Sequence, residues 1–426
     1  MVSSGGSTGQ FRRTHGQSPR VLGTAPPSRR LSLEGRRLWF VGIGGAGLSG
    51  YAVLAKAWGA EVGGWDRVET PYLEHVRSAG IPVTVETEPA AAPDGFEAVV
   101  STAFTGRVPG RTRAEFLAEL VSLQDSIVVA GAHGKTTTAA MIAYVLDRLG
   151  RDPAFLIGGE VPQLGGNARP GSGWLVVEGD ESDRTIERLR PQIAVVTNVD
   201  LDHHSEFGSL AEVERLFEAW LADVPQVVRG DDLEPVDFAL ALPGEHNRRN
   251  AAAALAALEL AGVSPVEARG ALAEFGGVGR RLEPCGEAGG VAVVDDYAHH
   301  PAEIDAAIAA ARDGRDGGRV LVLFQPHLYS RTRHLARELA QALGASDVTA
   351  VLDVYPAREA PVEGVTGKLV TDALAEIRPG MPIGWTPQIE DGVRFLAGRA
   401  RPGDVVLTIG AGDVDRAVPL LLEALA

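Results

Sequence analysis

The chain has 426 residues, 45% hydrophobic and 23% charged, with 56 acidic against 40 basic side chains and a formal net charge of −16. That length points to two or three domains, and the acidic excess excludes the basic footprint of a nucleic-acid binder. Cys285 is the single cysteine, which excludes a disulfide within the chain and fits a reducing, cytoplasmic setting. The alanine-rich run 250–262 contains Glu259 and is too short to cross a bilayer, so no membrane insertion is expected.

The basic residues are concentrated at the start, where residues 1–37 hold seven arginines and one acid, Glu34. Rich in Ser, Gly and Pro as well, residues 1–36 read as a disordered basic tail. Short apolar runs follow, each ending in glycine or polar residues before a helical pattern. The first group is "LWFVGIGGAG" (38–47), "AEVGGWD" (60–66) and "FEAVVSTA" (96–103). A second is "SIVVAGAHGKT" (126–136), "WLVVEGDES" (174–182) and "IAVVTNVDLDHH" (193–204). The third is "VAVVDDYAHHP" (291–301), "RVLVLFQPH" (319–327), "DVTAVLDVYP" (347–356) and "DVVLTIGAGD" (404–413). Continuous Val/Ile/Leu runs between helical crossovers describe buried parallel strands. The expectation is three consecutive α/β domains at 37–120, 121–280 and 281–426. Ligands of open α/β sheets sit beyond the carboxyl ends of the strands, where the polar residues of these runs fall.

Gly42, Gly44 and Gly47 form G-x-G-x-x-G, with Gly45 inside it, and Asp66 ends the next run. The pattern suits a nucleotide diphosphate on a helix N-terminus and a ribose on the carboxylate, or glycines that let helix and strand pack closely. In "GAHGKTTT" (131–138), Gly134-Lys135-Thr136 closes a phosphate loop whose first glycine falls at 131 rather than 129. Only three of the forty cations are lysines, and one of them follows Gly134. A compact ammonium fits a phosphate cradle better than a planar guanidinium. Backbone amides from Gly131 to Lys135 can hold a triphosphate, Lys135 its outer oxygens, and Thr136 a Mg²⁺ ion. Glu178 stands where a second metal-facing carboxylate is needed, or is a solvated loop acid. Asp200, Asp202, His203 and His204 close a further strand, and a hard cation would take one of these histidines at most. In "PGEHNRRNAAAA", Asn247 and Asn250 suit the edge of adenine or the cap of a helix.

In order, "VGIGGAG", "GAHGKTTT", "EGDESD", "TNVDLDH", "PGEHNRRNA", "GRRLE", "DDYAHHPAEI" and "FQPHLYSRT" resemble the Mur ligase family over nearly all of residues 38–415. The family's loop is a shortened G-x-x-G-K-T, which accounts for the displaced glycine. The resemblance implies a Rossmann-like N-terminal domain, a central P-loop ATPase domain and a Rossmann-like C-terminal domain. It implies a UDP-sugar on Gly42, Gly44, Gly45, Gly47 and Asp66. ATP would lie on Gly131, Ala132, His133, Gly134, Lys135, Thr136 and Thr137, with Asn247 and Asn250 at adenine. Arg281, Asp296 and His299 would close over the nucleotide. Thr136 and Glu178 would hold one Mg²⁺ and His203 a second, while Lys135, His203, His327 and Arg331 would serve the chemistry.

The implied reaction joins L-alanine to the carboxyl of UDP-N-acetylmuramate through an acyl phosphate, using ATP, in peptidoglycan precursor synthesis. "DDYAHHP" also resembles a recycling ligase that adds a tripeptide to the same sugar nucleotide. A non-catalytic relative binding UDP-sugar and ATP is a further alternative, and an oxidoreductase would leave the phosphate cradle unexplained. The sequence departs from the family at Leu328, where many members have Arg. No lysine lies between Lys135 and Lys368, so the carboxylated lysine of some relatives has no counterpart. Residues 101–120 leave little room for the last strand and helix of the first unit, and 222–247 is short. A trimmed central sheet with its site segments intact is expected.

Overall fold

The computed structural model describes residues 32–89, 91–201, 206–313, 318–357 and 359–426. The basic opening up to residue 31 lies outside them. Three sheets follow one another along the chain, each covered by helices.

The first sheet contains β1 (Arg37–Val41), β2 (Glu61–Asp66), β3 (Val83–Val85), β4 (Glu97–Val100) and β5 (Arg111–Thr112). All pairs are parallel, in the order β3-β2-β1-β4-β5. Helices α1 (Ala46–Ala57), α2 (Pro71–Ser78) and α3 (Arg113–Leu123) connect and cover the strands. The strand order reverses at β1, and the chain leaves β1 directly into the glycine loop, which is where such sheets open a ligand crevice. The expected lack of room falls on the strand alone: β5 has two residues, whereas α3 has eleven. A capping box starts that helix, with Thr112 N–H donating to Glu115 (2.9 Å) and Glu115 N–H to Thr112 Oγ1 (3.3 Å).

The central unit contains β6 (Ser126–Ala130), α4 (Lys135–Arg148), β7 (Ala154–Val161), β8 (Gly166–Arg169), β9 (Leu175–Glu178) and β10 (Ile193–Val196). It continues with α5 (Leu210–Leu221), β11 (Gln226–Arg229), α6 (Glu245–Leu260) and α7 (Pro265–Ala273). The strand order is β11-β10-β6-β9-β7-β8, parallel except for the β7–β8 hairpin. β6 and β10 are buried along their whole length, which is why they read as unbroken apolar runs. Segment 222–247 contributes one four-residue strand, β11, before α6 begins.

The third unit contains β12 (Glu283–Ala288), β13 (Val291–Asp296), α8 (Pro301–Asp313), β14 (Val320–Phe324), α9 (Tyr329–Leu343) and β15 (Val348–Val351). It ends with α10 (Lys368–Ile377), β16 (Ile383–Trp385), α11 (Ile389–Ala397), β17 (Val405–Ile409) and α12 (Ala417–Leu425). The order is β12-β13-β17-β14-β15-β16, with only β12 antiparallel to its neighbour. No helix among the described residues is long and apolar enough to cross a membrane.

One apolar cluster runs from the first sheet into the central one, joining Phe40, Leu54 and Phe116 to Leu156, Ala168 and Val177. The two units approach closely at Gly50 of α1. A Cβ there would lie 2.7 Å from the Ala168 methyl and 3.0 Å from Leu156 Cδ2, so only glycine lets α1 rest on the β7–β8 hairpin. Gly50→Val is expected to lower stability by about 1–3 kcal/mol through overpacking, read as an earlier urea midpoint than wild type.

Candidate active site

The phosphate loop leaves β6 between two parallel neighbours and turns into α4. Gly134, with φ of 80°, is the residue before the first helical turn. A side chain at that position would meet Asn250 of α6, so glycine is required by both conformation and space. The loop is fixed from β10. His133 N–H donates to Asn198 Oδ1 (2.9 Å), and the His133 carbonyl accepts from Thr197 Oγ1 (2.6 Å) and Asn198 Nδ2 (3.0 Å).

Lys135, Thr136 and Glu178 converge. Thr136 Oγ1 donates to Glu178 Oε1 at 2.9 Å, and Glu178 Oε2 accepts the Gly158 N–H at 2.6 Å. The Lys135 ammonium donates to the Gly131 carbonyl (2.5 Å), the Ala132 carbonyl (3.3 Å) and Glu181 Oε1 (3.0 Å). Burial alone would lower the pKa of this ammonium, but Glu181, Glu178 and Asp180 outweigh it and hold the pKa above its ordinary value. The cation is therefore permanent at neutral pH. A hydroxyl beside a carboxylate is an oxygen donor set that suits a hard divalent cation. Asp202, His203 and His204 lie outside the described residues. Nearby, His133, Asp200 and His300 bring possible ligand atoms within 4.8 Å of one another.

A cavity of about 250 Å³ opens beside the loop, walled by the central and third units. Its lining mixes apolar Leu242, Ala253, Leu282 and Ala306 with polar Asn250, Thr136, Arg281 and Asp296. Asn247 and Asn250 are buried inside α6, whose first turn is preceded by Gly244, so neither caps that helix. Both line the cavity; Asn247 Nδ2 donates to the Pro243 carbonyl (2.7 Å) and Asn250 Nδ2 to Asn247 Oδ1 (3.4 Å). Asp296, at the end of β13, accepts N–H bonds from Leu282 and Ala298, both 2.7 Å. Burial pushes its carboxyl up to about 6, against the opposing pull of Arg281 and these two bonds. Arg281 stays above its ordinary value despite burial, because Glu303, Asp296 and Glu178 surround it.

Further along the carboxyl ends of the third sheet, His299 lies edge-on to His327 (ring centroids 5.9 Å apart), and His327 stacks on Tyr355. Arg331, buried on α9, brings Nη1 within 3.3 Å of His327 Nδ1. Leu328 precedes α9 with φ of 71°, and the Ser330 N–H that follows donates to Glu359 (2.8 Å). The amino end of this helix is thus closed by a carboxylate.

Around the first glycine loop, Asp66 is 8% exposed and occupied by backbone. Its oxygens accept N–H bonds from Gly44 (2.7 Å), Arg67 (2.7 Å) and Val68 (3.4 Å), which tie the end of β2 to the glycine loop. Arg113 of α3 lies against Gly47 and donates to Tyr51 Oη at 3.3 Å. It also faces Asp183 of the central unit, 3.9 Å away. Asn167 Nδ2 reaches the Ala46 carbonyl across the same boundary (3.4 Å).

Three α/β sheets in series, the middle one carrying a glycine-rich loop of phosphate-binding form beside the Thr136–Glu178 pair, define a multidomain nucleotide-using enzyme. The chain belongs to the Mur ligase family. Residues 37–124 match the family's catalytic domain, 129–233 its middle domain and 280–412 its glutamate ligase domain. A UDP-N-acetylmuramate–L-alanine ligase of Renibacterium salmoninarum is 40% identical, with 92% of this chain and 96% of the relative aligned. One from Rubrobacter xylanophilus is 38% identical, over 91% of this chain and the whole relative. The crystal structure of a UDP-N-acetylmuramate–alanine ligase from Thermotoga maritima superposes with a TM-score of 0.74 at 26% identity, covering 91% of this chain and 98% of that one.

No motif or spacing in the sequence marks a role for Glu181, Asn198, Arg113 or Glu303. Glu181 and Glu303 lie inside "EGDESD" and "DDYAHHPAEI", yet nothing local marks their partners. Asn198 both receives and donates at His133, and this makes a direct test of loop rigidity. Asn198→Ala leaves the His133 N–H without its partner and the His133 carbonyl with Thr197 alone, which should lower stability by about 1–3 kcal/mol. Hydrogen exchange should speed up at residues 131–134.

Proposed function

We infer that the chain is an ATP-dependent ligase that joins L-alanine to the carboxyl of UDP-N-acetylmuramate in peptidoglycan precursor synthesis. The observation that carries this reading is the convergence of Lys135, Thr136 and Glu178 at the ends of adjacent strands, in a chain aligned almost end to end with ligases of that name. The triphosphate lies along the amides of Gly131 to Thr137, with its outer oxygens at Lys135. Adenine lies in the cavity beside Asn247 and Asn250, and the ribose faces Asp296. The UDP-sugar lies on the loop of Gly42, Gly44, Gly45 and Gly47, which Asp66 braces, and its carboxyl reaches into the central unit.

The carboxylate oxygen attacks the γ-phosphorus while the bond to the β-phosphate oxygen breaks, giving an acyl phosphate and ADP. The neutral amine of L-alanine then adds to the acyl carbon. Collapse of the tetrahedral intermediate breaks the carbon–oxygen bond to phosphate, and the amine loses a proton to give the amide. Transfer of a phosphoryl group depends mainly on position and charge neutralisation, and Lys135 contributes both from a fixed cradle. Thr136 and Glu178 would hold one Mg²⁺ and His203 a second, a charge that would supply neutralisation of the phosphate oxygens. Arg281 brings a half-buried cation from the third unit. His327 and Arg331 face the incoming amino acid and the reacting carboxyl. The same reading puts the enzyme in the cytoplasm, where ATP is made.

Phosphate release with UDP-N-acetylmuramate, ATP and Mg²⁺ should be strongest with L-alanine when compared with L-serine, glycine and a tripeptide. Activity with the tripeptide alone would reject the alanine assignment. Lys135→Ala should lower kcat by about 10²–10³, the range typical of a lost electrostatic donor.

Asp296 supplies a pH test. Its folded value of about 6 lies above the ordinary 3.8, so the proton is held until pH rises through 6, and only then can both oxygens accept from a ribose. Adenosine has no phosphate to titrate, so its inhibition constant should tighten as pH rises from below 6 to 7.5. Asp296→Asn should abolish that dependence, and a flat wild-type profile would remove Asp296 from the ribose site.

A further inference from the structure

Glu303 is the third residue of α8, and its carboxylate has two separate sets of partners. Oε2 accepts the N–H groups of His299 (3.1 Å) and His300 (3.3 Å), the free amino end of its own helix. Oε1 points the other way, lying 3.4 Å from His133 Nδ1 on the phosphate loop and 3.7 Å from Arg281 Nη1. The carboxylate is almost enclosed, with 12% of the side chain exposed. Burial would raise its pKa, yet His299, His133 and Arg281 hold it well below the usual carboxylate range. The imidazole it faces also packs on His300, with ring centroids 4.8 Å apart. His133 is thus held by its backbone to β10 and by its side chain to the third unit.

We propose that Glu303 is a positioning residue that latches the phosphate loop to the C-terminal unit, setting His133 and Arg281 at the distance the triphosphate requires. The inference rests on the ligase reading for its rate effects. The helix end makes the latch stiff, because the oxygen bound to two N–H groups leaves the other with one direction in which to point. A loop anchored in one domain and a cation supplied by another must be brought into register before transfer, and displacements near 1 Å are enough to slow a reaction about 10²-fold. Glu303 connects both to one rigid point.

The test is Glu303→Gln, which keeps a carbonyl acceptor for the helix end and removes the charge that faces His133 and Arg281. It should lower the thermal midpoint, since a stabilising buried charge is lost, and at a temperature where both proteins are folded it should keep the wild-type KM for the UDP-sugar while kcat falls by about 10–100-fold. The double variant with His133→Ala should be no slower than the slower single variant, since both break one contact. Hydrogen exchange at residues 131–137 with a non-hydrolysable ATP analogue should be faster in Glu303→Gln than in wild type. Wild-type kcat, losses that multiply in the double variant, or unchanged exchange would each overturn the latch. A wild-type enzyme inactive on every acceptor would reject the ligase reading instead, and the exchange comparison would still decide the latch.

Discussion

The structure depends on the parallel placement of β6 between β9 and β10. Parallel pairing sends all three strands out at the same edge, so the phosphate loop, Glu178 and the Thr197–Asn198 pair emerge side by side. The 2.9 Å bond from Thr136 to Glu178 and the clamp of Asn198 on His133 both follow from that register. A strand inserted between β6 and either neighbour would separate them by roughly 5 Å, the spacing of adjacent strands, and no side-chain adjustment would restore the contact.

Around this fixed point the other two units supply what the central one lacks. The first packs through a continuous apolar cluster, so its glycine loop is held firmly relative to the central sheet. The third meets the central unit through charged groups at the cavity, with Glu303 facing His133 and Arg281 close enough to Glu178 to feel its charge. Apolar packing suits a permanent boundary, while charged contacts at a cleft can open and reform as substrates enter. An acidic protein that handles three anionic species needs its cations concentrated. Lys135, Arg281 and Arg331 are all at least half-buried around the cleft.

Much of this was legible in the sequence because buried parallel strands are apolar throughout. β10 and β14 follow that rule throughout, and β6 does so after Ser126. The β7–β8 hairpin was not legible: β7 is buried over Ala154–Ile157 but then passes through Gly158, Gly159 and Glu160, and β8 reads GNAR. β12 alternates part-buried and exposed residues along the sheet edge, and β16 has three residues, too few to show a period. In the site, spacing identified Lys135 and Thr136, and the order of the runs brought in Glu178. The two readings of Asn247 and Asn250 were separated only by where α6 starts, at Glu245, which puts both inside the helix. Glu303 could not be found by spacing, since its partner His133 is 170 positions away and meets it only through the packing of two domains.

The central claim is that this cradle transfers a phosphoryl group to a carboxylate before any amide forms. It is tested most directly by supplying UDP-N-acetylmuramate with ¹⁸O in its carboxyl group and analysing the inorganic phosphate released. The account predicts one ¹⁸O in each phosphate, because the attacking carboxylate oxygen leaves with phosphorus. Phosphate free of the label, formed in step with the amide, would contradict it.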